Sequence, residues 1–386
     1  MTDPVRGIET AFARAEYDAR MAKVRADLAA RGLDAAVFTG PENVFYLTGQ
    51  QTPGYYTFQC LIVPTEGEPL FLLRQLELTN FLRNTYLDRF ETYGDGVTPA
   101  GLLVEALRRL GLANKRVAIE KGGWFLPISF YESLATALPD IADATGVVET
   151  LRRVKSPAEI AALRESARQA DAGISAGIAA ARVGATENDV VAEMMRASIA
   201  AGAEYMGMEP LVSSGPRSGV PHATWRRRTL EQGDALFLEM SGCFNRYHTG
   251  LMRTAWLGEP PKLARELEAV VQEALQALMD RAKPGVTCAE AHQAAQRVID
   301  KAGMTERYRK RSGYSLGISF APDWGEWQVL SLFDGIDVPL EPGMCFHVPT
   351  ALREYGVFTV GLSESIAITE TGCEILGAVP RRIHVV

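Results

Sequence analysis

Gly184-Ala185-Thr186-Glu187-Asn188-Asp189 is echoed, a hundred or so residues later, by Gly285-Val286-Thr287-Cys288-Ala289-Glu290. In each stretch a helix ends at a glycine. A threonine then caps a second helix, with an acidic residue three positions on that can answer the cap's own N–H. Further along, and in the same order, Leu230-Glu231-Gln232-Gly233 is echoed by Leu340-Glu341-Pro342-Gly343. The first turn feeds the run Asp234–Glu239 and the second feeds Met344–Pro349. Chance similarity of two helix caps does not account for a second match in the same order. The repeat predicts a duplicated helix–helix–strand unit whose copies pack about a pseudo-twofold axis into one curved sheet backed by helices. It equates Glu239 with Pro349, and a site at such an axis draws on both copies.

The first half reads differently. Residues 9–32 form an amphipathic helix ending at Gly32, followed by the apolar run Ala35–Phe38, strands at Cys60–Pro64 and Pro69–Leu73, a helical stretch at Gly101–Leu110 and a strand at Arg116–Glu120. Strands alternating with helices give an α/β unit. Ser156-Pro157-Ala158-Glu159 is a capping box with proline at the first helical position, so a long helix starts there. The boundary falls near Leu151–Lys155, giving an N-terminal α/β domain over 1–153 and a C-terminal domain over 154–386.

Composition narrows the function classes. A net charge of −7 argues against a nucleic-acid partner, and the one basic run, Arg226-Arg227-Arg228, reads as a solvated turn between strands. No apolar run approaches the ~20 residues that span a bilayer, and the start of the chain lacks a signal-peptide core. The five cysteines, Cys60, Cys243, Cys288, Cys345 and Cys373, are odd in number and scattered, which suits free thiols packed in a protein of the reducing cytoplasm.

An α/β domain followed by a duplicated helix–helix–strand domain resembles the creatinase/aminopeptidase P/methionine aminopeptidase superfamily over residues 14–386. The resemblance implies a creatinase-like N-terminal α/β domain and a C-terminal pita-bread domain. The superfamily's peptidases hold two metal ions with two Asp, one His and two Glu. Laid on this chain, those positions carry Glu239 (in Phe237-Leu238-Glu239-Met240), Gly250 (upstream of Arg253-Thr254), Tyr314 (in Gly313-Tyr314-Ser315-Leu316-Gly317), Pro349 and Ser363. Glycine, tyrosine, proline and serine do not suit a divalent ion, which wants several oxygen or nitrogen ligands. The expectation is therefore no metal and no other cofactor. Several blocks are similar to ectoine hydrolases: Pro221-His222-Ala223-Thr224-Trp225, Glu239 through His248, Gly313-Tyr314-Ser315-Leu316-Gly317, Pro322-Asp323-Trp324-Gly325-Glu326, and Ser363 through Gly372. The loop Gln50–Gln59 departs from that pattern, and in this superfamily it commonly reaches the neighbouring subunit's site.

Hydrolysis without a metal needs an activated nucleophile, a proton donor for the leaving nitrogen and a grip on substrate charge. Family position makes Glu239 the base or nucleophile and His222 the proton donor. Glu326 and Glu364 are candidates to hold a cationic amidinium, with Tyr55, Tyr56 and Trp324 facing it. Arg217 and Arg253 are candidates for a substrate carboxylate, and His248, Tyr314 and His347 for lining the pocket. The leading reading is a metal-independent hydrolase of a small, nitrogen-rich, ectoine-like solute, acting as a homodimer. A creatinase-type amidinohydrolase, a catalytically silent binding module and a metallopeptidase stand behind it.

Overall fold

The computed structural model of the chain describes residues 9–308 and 310–386. The chain divides into two compact units between Arg152 and Arg153. In the first, strands β1 (Ala35–Phe38), β2 (Cys60–Pro64), β3 (Leu70–Arg74), β4 (Phe90–Tyr93), β5 (Val117–Ile119) and β6 (Ala142–Asp143) form one sheet in the order β4-β3-β2-β1-β5-β6. The β1–β2 and β2–β3 pairs are antiparallel and the other three are parallel. All four residues of β1 are buried, as an apolar run at the middle of a covered sheet must be. The first helix begins at Arg14 rather than at residue 9 and runs to Ala30, with Gly32 in the left-handed conformation just beyond it.

The second unit carries the duplication down to single hydrogen bonds. Thr186 and Thr287 each close a capping box, with Asp189 and Glu290, on the helices Glu187–Ala200 and Cys288–Lys301. Gly184 N donates to Leu230 O at 3.0 Å and Gly285 N to Leu340 O at 3.0 Å. In return Leu230 N donates to Ala185 O at 2.7 Å and Leu340 N to Val286 O at 2.8 Å. Gly233 and Gly343 turn the chain at φ 88° and 92°, where an L side chain would be strained. Two residues past each glycine a strand begins: β8 (Ala235–Phe244) and β12 (Cys345–Glu354), which follow β7 (Leu211–Ser214) and, after an intervening hairpin, β10 (Gly313–Ser315) and β11 (Ser331–Leu332). Each is the first arm of a long antiparallel hairpin, β8 with β9 (Tyr247–Trp256) and β12 with β13 (Phe358–Ile368). With β14 (Cys373–Ile375) and β15 (His384–Val385) the sheets run β15-β9-β8-β7 and β11-β10-β12-β13-β14.

Both long strands overrun the sequence expectation, which stopped them at Glu239 and Pro349. Their later residues are held by pairing to the returning arm, a tertiary contact that local composition does not announce. Leu236, Leu238 and Met240 pack outward against the helices Pro157–Ala180 and Glu187–Ala200. Phe346, Val348 and Leu352 pack against Lys262–Arg281 and Cys288–Lys301. Each such side chain removed from water contributes about 1.5–3 kcal/mol. Because side chains alternate along a strand, the intervening residues of both strands face inward. There Phe237, Met252, Ala351 and Trp324 form a small cluster between the two copies, with Tyr314 at its edge. Among the described residues no helix is long and apolar enough to cross a membrane, and all five cysteines are free thiols, four of them buried.

Candidate active site

Glu239 stands on the inner face of β8, in register with Leu211 on β7 and Met252 on β9, and is 9% exposed. Burial pushes its carboxyl above the usual range; the charges of Lys310 and Arg353 pull it back and Asp323 adds to the rise. The same charges surround His222. His222 is solvent-exposed on its turn; its partial desolvation and the repulsion of Arg353 and Lys310 lower its imidazole, while Asp323 opposes them. His222 thus shares its electrostatic neighbourhood with Glu239. It is held there at φ 55°, a left-handed backbone that non-glycine residues rarely adopt and that the surroundings must enforce.

Those surroundings are traceable. Glu187, fully buried at the start of its helix, accepts from Ser214 N (2.8 Å), Ser214 Oγ (2.7 Å), Arg226 N (2.5 Å) and Arg217 Nη1 (2.7 and 2.8 Å). Arg217 Nη2 donates on to Thr224 O at 2.6 Å. The segment that presents His222 is therefore fastened on both sides. Arg217, a candidate from sequence for a substrate carboxylate, is tied here to Glu187 and Thr224 and so clamps this segment.

Lys310 and Arg353 were missed by the sequence reading. Lys310 is half-buried, and burial with the nearby Arg353 draws its ammonium down to about 7 against the pull of Glu239. Arg353 is 9% exposed, its Nε is buried without a hydrogen-bond partner, and no ion pair engages its guanidinium among the described residues. Such a donor set, desolvated and unmet, is what a planar anion fills. A signal for it was available: His347, Pro349, Ala351 and Arg353 alternate along β12 and share its inner face.

Behind Glu239 runs a chain of polar side chains. Trp324 Nε1 donates to Tyr314 Oη at 3.0 Å, Tyr314 Oη lies 2.8 Å from His347 Nδ1, and His347 Nε2 lies 2.8 Å from Ser363 Oγ. Ser363 Oγ also accepts from Met252 N at 2.7 Å, which returns the chain to the strand position beside Glu239. Asp323 Oδ1 fastens the far end by accepting from Trp324 N (2.7 Å) and Gly325 N (3.0 Å). Gly325 lies so close to the Tyr314 ring that no Cβ would fit between them. Burial takes His347 down to about 3, so it is neutral, and drives the Tyr314 phenol well above its ordinary value, helped by Glu239.

These residues do not fit a pair of divalent ions. Among the described residues no group of three or more His, Cys, Asp or Glu could hold a metal. Both nitrogens of His347 are committed within the chain. A Cβ at Gly250 would sit 3.0 Å from the His347 ring, so the space from which an aspartate would reach inward is already taken.

Several other expected substrate contacts make bonds within the fold. Arg253 bonds Glu364 Oε1 at 2.9 Å and the carbonyls of Met252, Ser363, Val379 and Pro380. Glu364 is further paired with Arg381. Glu326 accepts from Lys155 Nζ at 3.0 Å, Ser315 Oγ at 3.3 Å and Ile318 N at 2.9 Å. His248 Nε2 accepts from Gly207 N at 3.0 Å, so its Nδ1 carries the proton and donates to Arg246 O at 2.9 Å. Tyr55 and Tyr56 belong to the first unit, on the short turn Pro53–Tyr56, where Tyr55 packs edge-on to Phe125 and Tyr56 is 75% exposed.

Comparison with known proteins matches residues 161–370 to the metallopeptidase family M24 and residues 20–154 to the creatinase/prolidase N-terminal domain. The chain belongs to family M24. It is 32% identical over 396 residues to the ectoine hydrolase of Halomonas elongata, covering 97% of this chain and 98% of that protein. The crystal structure of dipeptidase PepE from Mycobacterium ulcerans superposes with a TM-score of 0.84 at 27% identity, covering 97% and 99% of the two chains. The prolidase from Thermococcus sibiricus shares the fold, with a TM-score of 0.86 at 21% identity over 96% of this chain and 99% of that one. This M24 member thus keeps the family's fold, while the inner face of its second unit carries an uncommitted Arg353 and a tyrosine–histidine–serine chain.

Proposed function

We propose that this M24 member is a hydrolase that opens a C–N bond of a small, nitrogen-rich carboxylate of the ectoine type, without a divalent ion. One observation carries the reading: a buried carboxylate, Glu239, shares its neighbours with His222, a half-buried lysine and an unpaired buried arginine, where the other four of the family's five ligand positions hold residues unfit for metal. The identity to the Halomonas ectoine hydrolase over nearly the whole chain supports it. In this reading Arg353 grips the substrate carboxylate and so fixes the ring over Glu239. Glu239, whose burial-raised carboxyl Lys310 and Arg353 pull back down, acts as the carboxylate and takes a proton from water or attacks the amidine carbon itself. His222 gives its proton to the nitrogen that leaves. Tyr55 and Tyr56 complete the grip on the cationic part of the substrate from a neighbouring subunit.

The test is a turnover screen of metal-stripped protein against ectoine, 5-hydroxyectoine, creatine and Xaa-Pro dipeptides, with products identified by mass spectrometry. Ring opening of ectoine or its hydroxy form is expected. Turnover of dipeptides alone, and only after a divalent ion is restored, overturns the proposal; turnover of creatine alone moves it to an amidinohydrolase.

A further inference from the structure

We propose that Tyr314 is held as an obligate hydrogen-bond donor to the reacting group of the substrate, by a histidine tautomer that the buried Ser363 dictates. The inference rests on the hydrolase reading above and follows from counting protons along the chain Trp324–Tyr314–His347–Ser363.

A neutral imidazole carries one N–H. If His347 held it on Nε2, that group would donate to Ser363 Oγ, which already accepts from Met252 N. The Ser363 hydroxyl proton would then have to find another acceptor. Ser363 is fully buried, and no acceptor for it exists among the described residues. A buried donor left unmet pays its whole desolvation penalty. In the other tautomer every partner is matched. Met252 N donates to Ser363 Oγ, Ser363 donates to His347 Nε2, and His347 Nδ1–H donates to Tyr314 Oη. The phenol oxygen now accepts twice, from His347 Nδ1 and from Trp324 Nε1. Both its lone pairs are used, so its own proton has to point to neither.

Tyr314 is only half-buried, whereas Trp324, His347 and Ser363 are sealed. Tyr314 is thus the one unsealed member of the chain, and the charge of Glu239 is felt at its phenol, so we take its free O–H to serve that side. The raised phenol keeps its proton through neutral pH, so the donor is permanent. The chain orients this donor but does not shuttle the proton: passing it on would leave the negative charge on Ser363, with Met252 N alone to answer it. Tyr314 thus offers one fixed O–H to whichever substrate atom gains negative charge as Glu239 or its water attacks. Preorganised donors of this kind stabilise a developing anion without reorganising. The resemblance puts a metal-binding histidine at this position in the family's peptidases, so a hydroxyl would supply the polarisation there.

Only five histidines are present, so the ring nitrogens are resolvable in long-range proton–nitrogen NMR of the 15N-histidine-labelled full-length protein. His347 is identified as the ring whose signals move in Tyr314→Phe. Its Nδ1 should be the protonated nitrogen and its Nε2 the bare one; the reverse pattern overturns the inference whatever the enzyme turns over. In kinetics, Tyr314→Phe should lower kcat about 10²-fold, the loss seen when one such donor is removed, with KM moved far less. Ser363→Ala, which touches no substrate, should mix the two tautomers in the same spectra and pass on part of that loss. If His347 carries its proton on Nδ1 yet folded Tyr314→Phe works within a few-fold of the parent, the donor role is wrong. If the parent turns over none of the four substrates, the proposed function fails while the tautomer result still decides the direction of the chain.

Discussion

Glu239 and His222 are drawn towards each other on the pH scale. Burial raises the carboxyl from its ordinary value, and partial desolvation with two nearby cations lowers the imidazole from its own. In the proposed roles Glu239 has to be ionised to act, so the rate should fall as pH drops through its raised pKa. His222 has to be protonated to give its proton away, so the rate should also fall as pH climbs through its lowered pKa. The expected kcat/KM profile is a bell narrower than ordinary carboxylate and imidazole values would give, and Glu239→Gln should erase its acid limb. Glu239→Gln and His222→Asn should each reduce turnover by at least about 10²-fold. A broad plateau from pH 5 to 9 in the parent speaks against these roles. Arg353→Met removes the proposed carboxylate grip; charge-assisted bonds contribute roughly 1.5–3 kcal/mol, so KM should rise by about ten- to a hundredfold. The same change removes a cation that lowers Glu239, and the acid limb should move to higher pH. An unaltered KM would return Arg353 to a structural role. The sequence pointed to Arg217 and Arg253 for this task, since arginine type and family neighbourhood are all it offers. Which guanidinium is already spent depends on Glu187 and Glu364, far away along the chain and adjacent only once folded.

The elements were more legible than the residues they carry. Capping boxes are local, set by side chains three positions apart, and so the paired helices of both repeats could be placed from Thr186 and Thr287 alone. The long hairpins were visible only in their first halves, because Met240 to Phe244 and Thr350 to Glu354 are held by the returning strands. What the elements do for the site is clearest in the clamp between Glu187 and the segment bearing His222. Glu187→Gln keeps the shape but weakens the bonds to Arg217 and the Arg226 and Ser214 amides. It should lower kcat several-fold with KM little changed and depress the thermal midpoint, and Arg217→Lys should recover less of the activity than a simple charge would, since Lys cannot reach Glu187 and Thr224 O together. Loss of midpoint with kcat untouched would mean the clamp is structural only. Gly250 makes a second case. Gly250→Ala puts a methyl against the His347 ring and should cost about 1–3 kcal/mol of stability, read by denaturant unfolding; a change below a few tenths would mean the ring moves aside freely.

At the scale of the whole molecule, the donor set argues that activity survives chelation. Elemental analysis of purified protein should find no stoichiometric Mn, Fe, Co or Zn, and dialysis against a chelator should leave turnover unchanged. One equivalent of such a metal, lost together with activity, would sink the proposal. Tyr56, 75% exposed on its turn, is the natural probe of assembly. In a homodimer whose first-unit loop reaches a neighbouring site, Tyr56→Ala should raise KM more than it lowers kcat, and dilution to monomer should mimic it. Equal kinetics for Tyr56→Ala and the parent would confine that loop to packing.

The ring of His347 resting against Gly250 also makes the candidate active site a one-way street. An aspartate placed at position 250 meets an imidazole 3.0 Å from its Cβ. Removing that imidazole first strands Tyr314 and Ser363, the two groups it joins. Neither order of single changes passes through a well-packed intermediate. Directed evolution from this scaffold toward metal-dependent peptidase activity should therefore stall when mutations arrive one at a time, and advance only in libraries that vary Gly250, Tyr314, His347, Pro349 and Ser363 together.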